Sequence, residues 1–173
     1  WTQLGNDIDG EDMFDISGYS VSLSSDGNTV AVGAPHNDGN TGNFSDNRGH
    51  VRIFSWDGVS WTQLGNDING EVAGDNSGWS VSLSSDGEKV AIGAHMNSAN
   101  GAASGNVRIF TWDGLSWVQL GSNINGETSF DQSGRCVSLS SNGSVVAIGA
   151  HLNDENGINS GHVRVYSLEE TTY

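Results

Sequence analysis

The stretch WTQLGNDINGE, residues 61–71, decides the fold because it is one of three near-identical copies in the chain. WTQLGNDIDGE occupies residues 1–11, and WVQLGSNINGE occupies residues 117–127. From each tryptophan the copies align without a gap for 34 residues, and 20 of these positions are identical in all three. Such self-similarity indicates one structural unit used three times. We therefore predict one repeat domain, 1–173, with units 1–60, 61–116 and 117–173.

Each unit contains four segments with the composition and alternation of β-strands, and none has helical periodicity. In the first unit they begin at Tyr19, Thr29, His50 and Trp61. Asp-Gly pairs at 26–27 and 57–58 supply tight hairpin turns between them. A four-stranded sheet cannot bury both faces alone, so the pattern predicts an all-β fold of three antiparallel meanders stacked as β-propeller blades. A β-solenoid is the alternative.

The alternating apolar residues of the strands are expected to fill the layers between blades. In the first unit these are Val21, Leu23, Val30, Val32, Val51 and Ile53. Closed propellers have four to eight blades, so three units indicate either part of a longer propeller or half of a six-bladed ring formed by a homodimer. The opening segment, 1–4, is expected to supply the fourth strand of the third unit, where Ser167-Leu168-Glu169-Glu170 replaces the usual Trp-Asp-Gly turn.

The composition excludes several classes of protein. The chain has 21 acidic and 6 basic residues, for a net charge of −15, and its single lysine is Lys89. Nucleic-acid binding, which needs clustered Lys and Arg, is therefore excluded. The longest apolar run, 145–150, is far shorter than the ~18 residues of a membrane helix, so no membrane insertion is predicted. Cys136 has no partner for a disulfide.

Several short motifs carry a resemblance to a known family. They are Ser17-Gly18-Tyr19-Ser20-Val21, Gly33-Ala34-Pro35 and the Gly-His-Val-Arg-Ile-Phe run at 49–54. Together they resemble the FG-GAP repeat of integrin-α-type β-propellers, especially secreted or surface versions, and the resemblance covers essentially the whole chain. It implies an extracellular or cell-surface binding or adhesion module.

The sequence departs from that family at two places. Ser-Gly replaces Phe-Gly, and His95 and His151 replace the proline of the second and third units. Integrin-type blades hold Ca²⁺ in a D-x-D-x-D-G loop between the first two strands. Here that link is only Ser24-Ser-Asp-Gly27, so the family's calcium sites are not carried over and no metal ligands are assigned.

Most acidic residues are expected on one face of the propeller. Alternate links of a meander lie on the same edge, so the links between units share a face with the links between the second and third strands. We call it the long-loop face. It receives 14 of the 21 acidic residues, namely Asp7, Asp9, Glu11, Asp12, Asp15, Asp38, Asp46, Asp67, Glu71, Asp75, Glu127, Asp131, Asp154 and Glu155. Such a face attracts cations, either Ca²⁺ or a basic partner; the alternative is a solvated acidic surface.

Individual ligand-binding candidates come from positions that vary between units. Asp38, Asp46, Asp154 and Glu155 lie on the second-to-third-strand links, and Tyr19, Trp79 and Arg135 share one repeat position while differing in type. Residues identical in every unit are instead predicted to be structural, with each mid-strand Arg pairing a loop carboxylate. They are Glu11, Asp15 and Arg52, then Glu71, Asp75 and Arg108, then Glu127, Asp131 and Arg164.

The remaining polar signals are weaker. His36, His95 and His151 start the second-to-third-strand links and are predicted to form loop hydrogen bonds, and His50 and His162 to lie at strand entries. Trp56 is expected to pair with Trp61, and Trp112 with Trp117, across hairpins. Asn43 and Asn142 match the N-glycosylation pattern.

We find no catalytic constellation, so the sequence predicts a non-catalytic module that binds a protein or glycan. The alternatives are a structural subunit of a surface filament or particle, in which the blades only pack against further blades, and a propeller-scaffold hydrolase or lyase.

Overall fold

The computed structural model describes residues 1–39 and 45–168, which form three antiparallel sheets without helices. Blade 1 contains β1 (Ser20–Leu23), β2 (Thr29–Ala34), β3 (His50–Trp56), β4 (Trp61–Gln63) and β5 (Ile68–Asn69). Blade 2 contains β6 (Ser80–Leu83), β7 (Lys89–Ala94), β8 (Asn106–Trp112), β9 (Trp117–Gln119) and β10 (Ile124–Asn125). Blade 3 contains β11 (Cys136–Leu139), β12 (Val145–Ala150) and β13 (His162–Ser167). The predicted all-β fold of propeller-type blades is confirmed.

The fourth segment of a blade is broken into two short strands, which the sequence did not predict. β4 pairs with the end of β3, where Trp56 faces Trp61, and β5 pairs with its start, where Val51 faces Ile68. Between them the chain bends at Gly65, whose φ of +77° suits glycine. The same break recurs between β9 and β10. The loop at 64–67 therefore carries the chain back to the start of β3, which lies on the long-loop face.

The expected closure of blade 3 by the opening segment does not occur in the described residues. Residues 1–4 form no strand, and blade 3 has three strands. Instead the Trp61 indole N–H donates to the Leu4 carbonyl at 3.1 Å, as the Trp117 indole does to Leu64 at 2.8 Å. The link from residue 1 to blade 1 has the length of the link from residue 61 to blade 2. It therefore holds residues 1–4 beside blade 1, on the side away from blade 2.

The core lies between successive blades. Val51 and Ile53 of blade 1 pack in one cluster with Val81 and Leu83 of blade 2, and a second cluster joins blades 2 and 3. Hydrogen bonds reinforce the contact between blades 1 and 2, since the Ser20 hydroxyl donates to the Gly78 carbonyl at 2.7 Å. A further one joins the Leu83 N–H to the Ser22 hydroxyl at 2.9 Å.

Among the apolar residues predicted to fill these layers, Val21 and Leu23 of blade 1 are exposed, and so are Val163 and Val165 of blade 3. The relative exposure of Val21 is 64% and that of Leu23 is 58%, whereas the equivalent Val81 and Leu83 are 9% and 7% exposed. The reason is positional, because the first strand of each blade points these side chains at the preceding blade. Blade 1 has no preceding blade in the described chain.

Candidate functional site

Three residues that the sequence singled out as variable lie in one stacked row on the long-loop face. The ring centroids of Tyr19 and Trp79 are 4.4 Å apart, and the Arg135 guanidinium lies 4.4 Å above the Trp79 ring. Each residue immediately precedes the first strand of its blade, so stacking of blades aligns them. We call Tyr19, Trp79 and Arg135 the stacked row. Tyr19, at the end of the row, is 46% exposed, and the other two are half-buried.

The histidines at the start of the second-to-third-strand links border this row. His95 stacks on Trp79 with ring centroids 4.0 Å apart. The pKa of His95 is lowered to about 4, mainly by burial and in smaller part by the charges of Arg135, His151 and His36. His95 is thus neutral at physiological pH, and its buried Nδ1 has no hydrogen-bond partner in the described part of the chain. The predicted loop hydrogen bond is not formed at that atom.

A second group of polar side chains converges where β3 begins. His50 is buried, and its Nδ1 lies 3.8 Å from Glu11 Oε2 and 4.0 Å from Asp67 Oδ2. Glu11 comes from the link that precedes blade 1, and Asp67 from the loop between β4 and β5. We call Glu11, His50 and Asp67 the junction cluster. All three offer ligand atoms within 4.8 Å of one another.

The equivalent position in blade 2 has different chemistry. There Asn106 Nδ2 donates to Glu71 Oε2 at 3.4 Å, and Asn123 Nδ2 donates to the same oxygen at 2.8 Å. In blade 3 the matching atoms of Glu127 and His162 are 3.6 Å apart, and Glu155 lies 3.9 Å from the same nitrogen of His162. The His162 side chain is more exposed than that of His50, and the Glu127 and Glu155 side chains are more exposed than those of Glu11 and Asp67.

The aspartates repeated in every unit accept hydrogen bonds that hold the long loops together. Asp75 Oδ2 accepts from the Asn97 side chain at 3.0 Å and from the Val72 N–H at 3.0 Å. Burial raises the pKa of Asp75, and these hydrogen bonds oppose the rise. Asp15 and Asp131 make the same contacts to asparagines at 2.9 and 3.0 Å. The aspartates therefore have asparagine amides as their direct partners.

The repeated arginines bridge neighbouring parts of the chain through backbone carbonyls. Each donates from Nη2 at 2.6–2.7 Å: Arg52 to Asp9, Arg108 to Asn69 and Arg164 to Asn125. The distance from Arg52 to Glu11 is 3.7 Å, and from Arg164 to Glu127 is 3.5 Å. These residues tie each inter-unit link to the third strand of the blade it passes.

The other ligand-binding candidates are dispersed. Asp46 is buried and forms a two-point ion pair with Arg48, at 2.8 and 3.0 Å. Asp154 is exposed and accepts from the Asn159 N–H at 2.6 Å. Asp38 is half-buried in the loop after β2. Glu155 lies at the blade 3 group described above.

The glycosylation motifs and the first-to-second-strand turns lie away from the stacked row. Asn142 is exposed in the turn between β11 and β12, and Asn43 lies outside the described residues. In the first turn the Asp26 carboxylate accepts from Ser24 at 2.6 Å and from the Asn28 backbone and side chain at 3.0 Å. With one carboxylate already bonded on both oxygens, this turn does not fit the calcium loop of integrin-type blades.

The junction cluster was missed by the sequence analysis, which placed His50 at a strand entry and assigned no metal ligands. A signal was nevertheless present in the repeats. Where His50 is replaced by Asn106, Asp67 is replaced by Asn123, so the two positions change together. Their proximity depends on the short strand β5, which the alternation of residues did not reveal.

Comparison with known proteins identifies the repeat. The FG-GAP repeat family model matches residues 69–110 and 125–166. These two stretches are therefore FG-GAP repeats in blades of the β-propeller type, and the resemblance inferred from the motifs is confirmed. FG-GAP repeats are typical of extracellular or surface proteins and are generally non-enzymatic. No curated protein matches the sequence. No helix of the length and hydropathy needed to cross a membrane occurs in the described residues.

Solved structures show the same fold at low sequence identity. A proposed 6-phosphogluconolactonase from Bacteroides uniformis superposes on 88% of this chain with a TM-score of 0.55 and 14% identity. The hydrazine synthase of Kuenenia stuttgartiensis covers 86% with a TM-score of 0.50 and 12% identity. This chain spans only 37% and 33% of those two chains, respectively. At such identities the likeness concerns the fold alone.

Proposed function

We propose that this protein is a non-catalytic extracellular binding or adhesion module that holds a protein or glycan partner on its long-loop face. The observation that carries the proposal is the stacked row. Three residues that differ between otherwise similar repeats form one continuous surface of two aromatic rings and a guanidinium. Scaffold positions in this chain are kept identical across the units, so a varied but contiguous row is suited to recognising a partner that lacks the repeat symmetry.

The chemistry of the row and its surroundings favours particular partners. Tyr19 leaves nearly half of its surface to solvent, and aromatic rings stack on sugars and on cationic side chains. The acidic residues of the long loops add a negative potential, which attracts a basic protein surface. Ca²⁺ bound by these loop carboxylates belongs to the same proposal. A melting temperature unchanged by millimolar Ca²⁺ removes the calcium component and leaves the rest intact.

The test uses the whole chain on a panel of immobilised glycans and lysine-rich peptides. We expect the wild-type chain to bind at least one probe, and Trp79→Ala or Tyr19→Ala to weaken that binding at least tenfold. Trp56→Ala is the matched control, because Trp56 lies at the opposite end of the blade. Equal binding by Trp79→Ala and Trp56→Ala, with both variants folded by circular dichroism, contradicts the proposal.

A second candidate function is a structural assembly element, and the two end faces favour it. On blade 3, Val163 and Val165 are 68% and 65% exposed, whereas the equivalent Val51 and Ile53 are 0% and 1% exposed. Blade 1 exposes the complementary residues, described above, on its outer side. We propose that a second copy docks blade 1 onto blade 3 as blade 2 docks onto blade 1. Its residues 1–3 then pair with β13 in the register of β4 on β3.

Sedimentation across a range of protein concentrations tests this assembly. We expect a species of at least twice the 18.1 kDa chain mass. Val163→Lys is expected to shift it to the monomer, while Val59→Lys, at an exposed hairpin position, leaves it unchanged. A monomer at all concentrations, or an assembly indifferent to Val163→Lys, contradicts this candidate without affecting the binding proposal.

A further inference from the structure

The junction cluster contains a buried nitrogen atom with no partner. His50 is 1% exposed, and its Nδ1 makes no hydrogen bond within the described residues. Two carboxylate oxygens face it, Glu11 Oε2 at 3.8 Å and Asp67 Oδ2 at 4.0 Å. A buried polar atom without a partner is costly, so a native structure normally supplies one.

Neither protonation state of His50 Nδ1 gives this atom and the two carboxylates suitable partners. If Nδ1 carries the proton, both carboxylates are too distant to accept it. If Nδ1 carries a lone pair, that lone pair faces two anions. A cation between the three groups satisfies all of them.

We propose that Glu11, His50 and Asp67 bind a divalent first-row transition metal ion, with Zn²⁺ as its experimental representative. One neutral imidazole and two carboxylates form a nitrogen–oxygen ligand set of matching charge, and water completes the tetrahedral site. Ca²⁺ is disfavoured, because it takes six to eight oxygen ligands and these residues provide a nitrogen. The site is therefore distinct from any calcium binding by the long loops.

The distances suit such an ion after a small movement. Bonds of 2.0–2.1 Å place two tetrahedral ligands about 3.4 Å apart, so the carboxylates must approach by about half an ångström. The Glu11 and Asp67 side chains are 38% and 23% exposed and lie on loops, whereas His50 is fixed at the start of β3. The flexible ligands can therefore move towards the rigid one.

The second oxygen of each carboxylate already has a partner that orients it. Glu11 Oε1 lies 3.7 Å from the Arg52 guanidinium, which leaves Oε2 directed at His50. Gln63 donates to Asp67 Oδ1 at 2.7 Å, which leaves Oδ2 directed at His50. Supporting contacts of this kind are typical of metal ligands.

Blade 2 provides an internal comparison in which no cation is needed. The carboxylate of Glu71 stands where Glu11 does, and the amides of Asn106 and Asn123 both donate to its Oε2. In blade 1 the corresponding residues, His50 and Asp67, cannot both donate to that oxygen. A metal ion is expected to take the place of the two amide protons. The proposal is confined to blade 1, since the His162 ring of blade 3 is more exposed.

Titration calorimetry of the whole chain with Zn²⁺ and with Ca²⁺ tests the site. We expect one Zn²⁺ site of micromolar or tighter affinity and a higher melting temperature in Zn²⁺. Replacement of His50 should leave any Ca²⁺ binding unchanged. His50→Asn should weaken the Zn²⁺ site at least tenfold, and the buried Asn106 shows that asparagine fits this position. His151→Asn, an exposed histidine outside the cluster, is the matched control and should bind as wild type.

A gain-of-site variant makes the test independent of any loss of stability. Asn106→His with Asn123→Asp, beside the existing Glu71, recreates the cluster in blade 2 and should add one Zn²⁺ per chain. The proposal is overturned if His50→Asn binds Zn²⁺ as wild type does, if His151→Asn removes the same site, or if the wild-type chain has no such site.

Discussion

Replacing Gly93 with alanine should separate blades 2 and 3. Gly93 lies on β7 directly against the backbone of Gly134 in blade 3. A Cβ at this position would overlap the Gly134 carbonyl oxygen and the Ser80 hydroxyl, and would lie 3.0 Å from the Gly134 carbonyl carbon. Carbon atoms in ordinary contact are about 3.5–4.0 Å apart, and the overlap with the carbonyl oxygen is tighter still, so the strands must separate by about 1 Å.

The cost has two parts. Overpacking of a tight junction costs about 1–3 kcal/mol. The separation also breaks the hydrogen bond from the Ser80 hydroxyl to the Gly134 carbonyl, now 2.8 Å long, which contributes about 0.5–1.5 kcal/mol. We therefore expect Gly93→Ala to lower the free energy of unfolding by about 2–4 kcal/mol.

Gly149→Ala is the matched control, because Gly149 has the same repeat position on blade 3. There a Cβ would meet nothing closer than Cys136 atoms at 3.7 Å. We expect a change within about 0.5 kcal/mol in the monomer. If a second copy docks on blade 3, Gly149→Ala becomes destabilising at high protein concentration only, because docking then recreates the tight junction.

Urea unfolding followed by tryptophan fluorescence measures both variants. With a slope of about 2 kcal/mol per molar urea, the Gly93→Ala midpoint should fall by about 1–2 M. A difference of less than about 1 kcal/mol between the two dilute variants would refute the argument that close backbone packing joins the blades.

Three further predictions concern buried residues. The folded-state pKa of His95 is lowered to about 4, so the unfolded chain binds the proton first as pH falls. The free energy of unfolding should therefore decline between about pH 6.5 and pH 4, by up to about 3 kcal/mol. This decline should be absent from the urea unfolding curves of His95→Gln, and an equal decline in both proteins would contradict it. Asn97→Ala removes a side-chain donor from buried Asp75 and should lower the free energy of unfolding by about 1–3 kcal/mol, measured in urea. An unchanged midpoint would contradict the role of this hydrogen bond in holding the long loops. Ile92→Ala, at a position 1% exposed, should lower the free energy of unfolding by about 2–5 kcal/mol and lower the melting temperature accordingly. Val163→Ala should change the melting temperature of the dilute chain little. Similar melting temperatures for the two variants would contradict the assignment of Ile92 to a covered layer and Val163 to an open face.

The repeated sequence predicts much of the candidate site because repeat position determines place in a stack of blades. Tyr19, Trp79 and Arg135 are aligned for that reason, although their sequence positions alone did not predict the stacking of rings and guanidinium. The buried ion pair of Asp46 with Arg48 could not be foreseen from a loop of variable length. The junction cluster could not be foreseen either, since it requires the loop before β5 to return to the start of β3.

What the sequence by itself determined is the local pattern: three units, the strands and turns within each, and the blade type. These follow from residue periodicity and turn chemistry, which act over a few neighbouring residues. Only the tertiary structure decided which apolar faces are covered and which polar atoms meet. Burial of Val81 but not Val21, and of His50 beside two carboxylates, depends on what lies across the blade junction, and that is a property of packing between residues distant in the chain.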